Sequence, residues 1–261
     1  MLYIKLNAKR ERIMELKDFF EKTPRAALAL SGGTDSSYLL YAAKSLGADV
    51  RPYYIKTAFQ PEFEFVDAKK AAEFAGAELT VLELDVLGAP GVAENPADRC
   101  YYCKRALFTA LTARARADGY TVLLDGTNAS DDMDDRPGMR ALKELGVRSP
   151  LRECGLVKSE IRRLSDEAGL FTAQKPAYAC LATRVPTDTP ITAEKLARVE
   201  RSENALFDMG YTDFRVRLTA GDGAKLQFPR DQLMRAAAEW DEISKRLKND
   251  FTAVVLDLNG R

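Results

Sequence analysis

The chain has 261 residues, 46% of them hydrophobic and 30% charged, which is enough for one large domain or a domain plus a smaller one. Lys and Arg number 39 and so do Asp and Glu, a balance that lacks the basic surplus drawing proteins to nucleic acid, so a tRNA or DNA substrate is disfavoured. Histidine is absent, which excludes Ser–His and Cys–His nucleophile pairs, an imidazole general base and every His-containing zinc site.

In chain order, residues 10–22 place Ile13, Leu16, Phe19 and Phe20 on one helical face, and Thr23-Pro24 ends the helix. An apolar strand at 26–30 leads through Ser31-Gly32-Gly33-Thr34-Asp35-Ser36-Ser37 into a helix at 36–46 that stops at Gly47. Then come a strand at 49–55, a helix at 61–75, a strand at 78–84, a Gly/Pro-containing loop through Pro96, a helix at 101–118 and a strand at 121–124. Strands alternating with helices predict an α/β fold with a doubly wound, mainly parallel sheet whose ligand lies beyond the carboxyl ends of the strands.

After the acidic loop from Asp125-Gly126 to Gly138, Ser159 is a plausible N-cap for a helix that ends at Gly169. Three prolines between 172 and 190 mark a crossing segment and a domain boundary, giving a nucleotide domain over 1–182 and a small α+β domain over 190–261 for substrate binding or oligomerisation. The small domain comprises a helix at 193–208, strands at 211–218 and 224–228 joined by Gly221-Asp222-Gly223, a helix at 231–247 and a strand at 253–256. No stretch of 18 apolar residues and no apolar leader occurs, so the expectation is a cytoplasmic protein without a membrane partner, in which the four cysteines serve thiol or metal chemistry rather than disulfides.

The glycine loop carries the first chemical signal. Two glycines allow backbone N–H groups to approach an anion, and the helix N-terminus that follows favours negative charge. The pattern is neither Gly-x-Gly-x-x-Gly nor the Walker A loop, because no Gly-Lys-Ser/Thr follows. It resembles the SGGxDS signature of PP-loop ATP pyrophosphatases, which cut ATP between its α and β phosphates. The resemblance implies an ATP site of Ser31, Gly32, Gly33, Asp35, Ser36 and Ser37 together with Thr57 and Gly126, with Asp35 as the carboxylate for Mg²⁺. It also implies that a substrate carboxylate attacks the α phosphate and pyrophosphate leaves.

The second signal is Cys100-Tyr101-Tyr102-Cys103-Lys104 at a helix start, where amide dipoles and Lys104 or Arg105 favour thiolates. A lone Cys-x-x-Cys reads either as a redox pair or as half of a metal site. Cys180, in Ala179-Cys180-Leu181-Ala182-Thr183-Arg184, is a candidate third thiol, and three thiolates could hold an iron–sulfur cluster with one iron open. Buried, inert cysteines are the alternative, and Cys154 fits that description. In Phe214-Arg215-Val216-Arg217-Leu218, period-two alternation buries the apolar residues and sets Arg215 and Arg217 side by side on the other face, suited to a phosphate or paired carboxylates or simply to water.

Taken together, SGGTDSS, Asn95-Pro96-Ala97-Asp98-Arg99-Cys100-Tyr101-Tyr102-Cys103-Lys104, the segment from Gly126-Thr127-Asn128 to Arg136-Pro137-Gly138, Ser149-Pro150-Leu151-Arg152-Glu153 and Lys175-Pro176 through Arg184 resemble the LarE family. These are ATP-dependent sulfur transferases that help build the nickel-pincer nucleotide of lactate racemase. The resemblance implies pyridinium-3,5-biscarboxylic acid mononucleotide as a small-molecule nucleotide substrate, adenylylation of its carboxylates, and their conversion to thiocarboxylates. Some members sacrifice one cysteine, which becomes dehydroalanine, and others hold a [4Fe-4S] cluster on three. Cys100, Cys103 and Cys180 place this chain with the cluster type, with Cys180, Cys100 and Cys103 as catalytic thiols, a sulfur donor as possible partner, and homo-oligomerisation expected. Arg184, Glu200, Arg215 and Arg217 are carried over as substrate-site residues. Two departures stand out: the family usually has a glycine soon after its Cys-Leu-Ala-Ser-Arg stretch, whereas Thr183-Arg184-Val185-Pro186-Thr187-Asp188 has none, and Cys154 stands where the family commonly has alanine. Three other readings stay open at this point: a PP-loop tRNA thiolase, an ammonia-using amidating ligase and a nucleotide-binding regulator.

Overall fold

A computed structural model describes residues 15–131 and 137–261. The start of the first helix, residues 10–14, and the acidic run Asp132, Asp134, Asp135 and Arg136 lie outside the described residues. The chain forms two compact units: 1–57, 62–84 and 100–175 make one, and 58–61, 85–99 and 176–261 make the other.

The first unit is built on four parallel strands, β1 (Arg25–Ala29), β2 (Asp49–Lys56), β3 (Thr80–Glu83) and β4 (Leu123–Leu124), in the order β3-β2-β1-β4. This is the parallel α/β sheet that the alternating pattern predicts. Helix α1 (15–22) precedes β1, and α2 (Thr34–Ser45), α3 (Glu62–Phe74) and α4 (Arg99–Ala117) run between the strands. Helices α5 (Pro137–Glu144), α6 (Pro150–Glu153) and α7 (Lys158–Glu167) follow β4.

Period-two alternation splits the core between the two faces of the sheet. Ala26, Leu28, Val50, Tyr54 and Leu124 pack with Leu39, Leu40, Ala68, Ile161 and Leu164 from α2, α3 and α7. Ala27, Tyr53 and Leu123 pack with Leu111 and Ala115 from α4. Burial on both faces is why these strands read as apolar runs. Pro52 is tolerated in β2 because pairing with β3 begins only at Tyr53↔Thr80, so its missing N–H falls where that side of the strand has no neighbour.

Residue Ser159 does not cap α7. The helix begins at Lys158 behind Val157, and the Lys158 N–H donates to Ser130 Oγ at 2.9 Å, a cap supplied from a distant loop. The helices α5 and α6 were not part of the expected pattern; each has eight residues or fewer, too short for a clear period.

Cys154 is buried in the larger core, and burial pushes its thiol up to about 11. A thiol whose folded value exceeds its ordinary one contributes stability at neutral pH that is lost as pH rises from about 9 towards about 11. Iodoacetamide at about pH 8 is expected to alkylate exposed Cys100 well ahead of Cys154, read by peptide mass spectrometry; equal rates would contradict this placement.

The second unit holds β5 (Arg215–Leu218) antiparallel to β6 (Ala224–Gln227), with β7 (Val254–Leu256) parallel to β6. The hairpin turn uses Gly221 at φ 72°. Helix α8 (Ala193–Asp208) is capped by Thr192, whose Oγ1 accepts from Lys195 N–H at 3.2 Å. The expected single helix at 231–247 is two, α9 (Arg230–Ala238) and α10 (Trp240–Leu247). The break falls at Glu239, whose carboxylate accepts from Tyr211 Oη at 2.9 Å and Arg235 Nε at 3.0 Å. A tertiary anchor therefore sets a joint that the helical period alone does not show. Among the described residues no helix is long and apolar enough to cross a membrane.

Candidate functional site

The glycine loop leaves the carboxyl end of β1. In the order β3-β2-β1-β4, β1 feeds β2 on one side and meets β4 on the other, so the loop opens where the winding reverses. Thr57 follows β2 and Gly126 follows β4 on the same rim, Thr57 buried and Gly126 half-buried. At α2 the cap position is Gly33, which has no side chain to satisfy the first helical N–H groups, and Asp35 stands in the first turn.

The loop's own hydroxyls hold its shape. Ser31 N–H donates to Ser36 Oγ at 3.2 Å, the two serine oxygens lie 3.0 Å apart, and Gly33 N–H donates to Ser31 Oγ at 3.3 Å. Thr34 Oγ1 donates to the Thr172 carbonyl at 2.8 Å, and Lys175 Nζ donates to the Gly32 carbonyl at 3.0 Å while pairing with Asp67 at 2.6 Å. Ser37 is different: it is fully buried in α2, and its hydroxyl has no hydrogen-bond partner among the described residues.

Both glycine positions are close approaches of backbone to backbone. Gly32 has φ +74°, and a Cβ there would stand 2.5 Å from the Glu64 carbonyl oxygen and 2.8 Å from Ala68 N in α3. A Cβ on Gly126 would stand 2.8 Å from Ser36 N. We expect Gly32→Ala to cost about 2–4 kcal/mol by adding left-handed strain to the overlap. It should weaken ATP binding together with thermal stability; unchanged ATP affinity by calorimetry would refute the tight fit.

The carboxylate of Asp35 is met by Lys158 Nζ at 2.8 Å from each oxygen and by Asn128 Nδ2 at 3.4 Å. Asn128 is itself set by local turns, its N–H donating to Asp131 and its Oδ1 accepting from Ser130. Asp125 accepts from Thr127 Oγ1 and Ser149 Oγ, both at 2.6 Å. Sequence reading missed Lys158 because 123 positions separate it from Asp35. A single hard carboxylate beside a phosphate cradle fits Mg²⁺, which takes one or two carboxylates and completes its shell with phosphate oxygens.

Cys100 and Cys103 occupy the first turn of α4 as expected, Cys100 exposed and Cys103 half-buried. Cys180, in the second unit, is half-buried at the entrance to a 3₁₀ turn, Leu181–Arg184. Soft thiols suit an iron–sulfur cluster in kind. Among the described residues, however, no three His, Cys, Asp or Glu side chains are gathered as a metal site.

Around Cys180, the second unit assembles an arginine set. Arg184 is 1% exposed and pairs with Glu203, itself 1% exposed, at 2.7 Å. Glu203 also accepts from Tyr178 Oη at 2.6 Å and Val216 N–H at 3.0 Å. The ring of Tyr178 lies under the Arg184 guanidinium at 4.6 Å and that of Arg215 at 5.1 Å. The carboxylate paired with Arg184 is Glu203, one helical turn on from Glu200, which is half-buried on α8.

On β5, Phe214, Val216 and Leu218 are buried as the alternation predicts. The opposite face is not solvated: Arg215 is buried too and donates to the carbonyls of Phe214 and Ala177, each at 2.6 Å, while Arg217 donates to the Thr183 carbonyl at 2.8 Å. Burial first, and then the neighbouring Arg184 charge, pull both guanidiniums below the usual arginine range, while Glu203 opposes the shift. Arg261 feels the same two charges.

A hydroxyl- and glycine-lined loop between β1 and α2, at the switch point of a parallel sheet, defines an ATP-using α/β enzyme of the PP-loop class. A family model described as asparagine synthase matches residues 21–253. An uncharacterized Synechocystis protein, slr1717, is 36% identical over 254 residues, covering 95% of this chain and 94% of its own. The pyridinium-3,5-bisthiocarboxylic acid mononucleotide synthase of Lactiplantibacillus plantarum is 32% identical over 239 residues, covering 90% and 86%. The tRNA-specific 2-thiouridylase MnmA of Thermotoga petrophila is 24% identical over 198 residues, covering 58% and 54%. The chain belongs to the LarE family of PP-loop sulfurtransferases within the asparagine synthase group, and it is an ATP-using sulfurtransferase.

Proposed function

We propose that this enzyme thiolates pyridinium-3,5-biscarboxylic acid mononucleotide in the biosynthesis of a nickel-pincer nucleotide, the cofactor of lactate racemase. The observation that carries the reading is a phosphate-type glycine loop in the same chain as a half-buried cysteine, Cys180, set beside buried arginines. The chain's similarity over 90% of its length to a synthase of the corresponding bisthiocarboxylic acid supports the substrate.

In this proposal Ser31, Gly32, Gly33, Ser36, Ser37, Thr57 and Gly126 form the ATP site, and Asp35 holds Mg²⁺ once Lys158 yields it. A substrate carboxylate oxygen attacks the α phosphorus, the α–β P–O bond breaks, and pyrophosphate leaves with an acyl adenylate behind it. Sulfur then attacks the acyl carbon and AMP departs with the former carboxylate oxygen. With Cys180 as the donor, Sγ forms a thioester, loss of its Cα proton breaks the Cβ–S bond, and the products are the thiocarboxylate and dehydroalanine. Arg215, Arg217, Arg184 and Glu200 belong to the substrate site, where guanidiniums suit the phosphate and carboxylates of the substrate.

Cys100, Cys103 and Cys180 would be the ligands of a [4Fe-4S] cluster, which would supply a sulfur carrier that is not consumed. An external sulfur donor would then reload it. Met234, Val255 and Leu258, exposed on the second unit, suit contact with a second copy of the chain, and the free cysteines suit the reducing cytoplasm.

Anaerobic protein, ATP, Mg²⁺ and the biscarboxylate nucleotide should give pyrophosphate and a thiocarboxylate product by mass spectrometry. Pyrophosphate without sulfur in the product would overturn the reading. Iron and sulfide analysis separates the two donors: absent iron after reconstitution, with Cys180 lighter by the mass of H₂S after turnover, would leave only the sacrificial route.

A further inference from the structure

We propose that Arg99, backed by Asn95, is a positioning residue for Cys180; the inference rests on the sulfur-transfer reading of that cysteine. Cys180 sits one residue ahead of the 3₁₀ turn Leu181–Arg184, and its own carbonyl accepts from Thr183 N–H at 3.0 Å and Thr183 Oγ1 at 2.8 Å. Leu181, Ala182 and Val185 are buried, so the carbonyls of this irregular stretch need protein donors in place of water.

Arg99 and Asn95 provide those donors. Arg99 Nη1 donates to the Ala182 carbonyl at 3.0 Å and also to Asn95 Oδ1. Asn95 Nδ2 donates to the Pro186 carbonyl at 2.7 Å, to that of Thr189 at 3.1 Å and to that of Val185 at 3.4 Å. The Asn95 carbonyl takes Asp188 N–H at 2.9 Å, and Asn95 itself is held at φ 60°, a conformation few side chains other than asparagine accept readily. Behind the turn, Leu181 N–H donates to the Phe59 carbonyl at 2.9 Å, and the Arg99 guanidinium lies 5.9 Å over the Phe59 ring. On the other side, Arg184 Nη1 donates to the Ala179 carbonyl at 3.2 Å.

Cys180 is therefore flanked by two carbonyls, those of Ala179 and Ala182, each held by a guanidinium. The Arg184 hold belongs to the arginine set already described. The Arg99 hold acts on Cys180 through the backbone carbonyl of Ala182. Arg99 directly precedes Cys100 in the chain.

The test compares wild type, Arg99→Gln and Arg99→Lys by two readouts: the rate of Cys180 alkylation by iodoacetamide in the protein alone, and thiocarboxylate formed per pyrophosphate released. Arg99→Gln should change the alkylation rate several-fold and lower the product ratio by up to about 10²-fold, the cost of misplacing a reacting atom by about 1 Å. The pyrophosphate burst should persist, which also shows that the variant folds. Arg99→Lys keeps a charged donor and should recover part of the ratio, and it stands in if the glutamine variant does not fold. Product and pyrophosphate falling together, or an unchanged alkylation rate, would overturn the assignment. If wild type forms no thiocarboxylate, the sulfur-transfer reading fails, and the alkylation rates alone decide whether Arg99 positions Cys180.

Discussion

Replacing Cys180 by Ser is expected to abolish thiocarboxylate formation, by about 10³-fold or more, while the pyrophosphate burst with ATP and the dicarboxylate substrate stays within about twofold of wild type. The split follows from where the parts lie. The glycine loop, Asp35 and Lys158 belong to the first unit and Cys180 to the second, and the loop's shape is held by its own serine hydroxyls. Serine is nearly isosteric, so the turn at Leu181–Arg184 is retained; the Thr183 bonds go to the Cys180 carbonyl rather than to sulfur. A hydroxyl has a far higher pKa than a thiol and cannot hand over sulfur. Quenched-flow pyrophosphate measurement with mass spectrometry of the product checks both halves. Equal loss of both would mean that Cys180 acts in binding or adenylylation instead.

The second large effect concerns Glu203. Glu203→Gln should lower the unfolding free energy by about 3–5 kcal/mol, because removing one partner of a buried pair strands the other charge. Arg184 is fully buried and Arg215 nearly so, and arginine cannot shed its proton to escape. The carboxylate also anchors Tyr178 and the Val216 N–H, so the amide must replace an acceptor at several donors with one oxygen. The double variant Arg184→Met/Glu203→Leu should lose less than the single one, since it removes the charge together with its partner. Urea midpoints of the three proteins decide it: a single-variant loss below about 1 kcal/mol, or a double variant worse than the single, would contradict a charge-stranding origin.

Much of the first unit is legible along the chain. The apolar run before Ser31-Gly32-Gly33 and the helix after it are local, and local pattern is enough to place a parallel strand, a loop and an N-terminal anion site. Cys100 and Cys103 are legible for the same reason, being three residues apart at a helix start. What local pattern misses is supplied from a distance. Ser130 caps α7 in place of Ser159, and Glu239 breaks the last long helix because Tyr211 reaches it.

The amino-acid sequence by itself determined the α/β class, the glycine loop and the sulfurtransferase family, since each rests on short motifs or elements whose own residues stand within a few positions of one another. Only the tertiary structure decided that Lys158 is the counter-charge of Asp35, that Glu203 pairs with Arg184, and that Arg99 holds the turn of Cys180. These pairs lie 123, 19 and 83 positions apart. A buried charge or carbonyl must find a partner wherever folding brings one, and neither period nor propensity records which partner that will be.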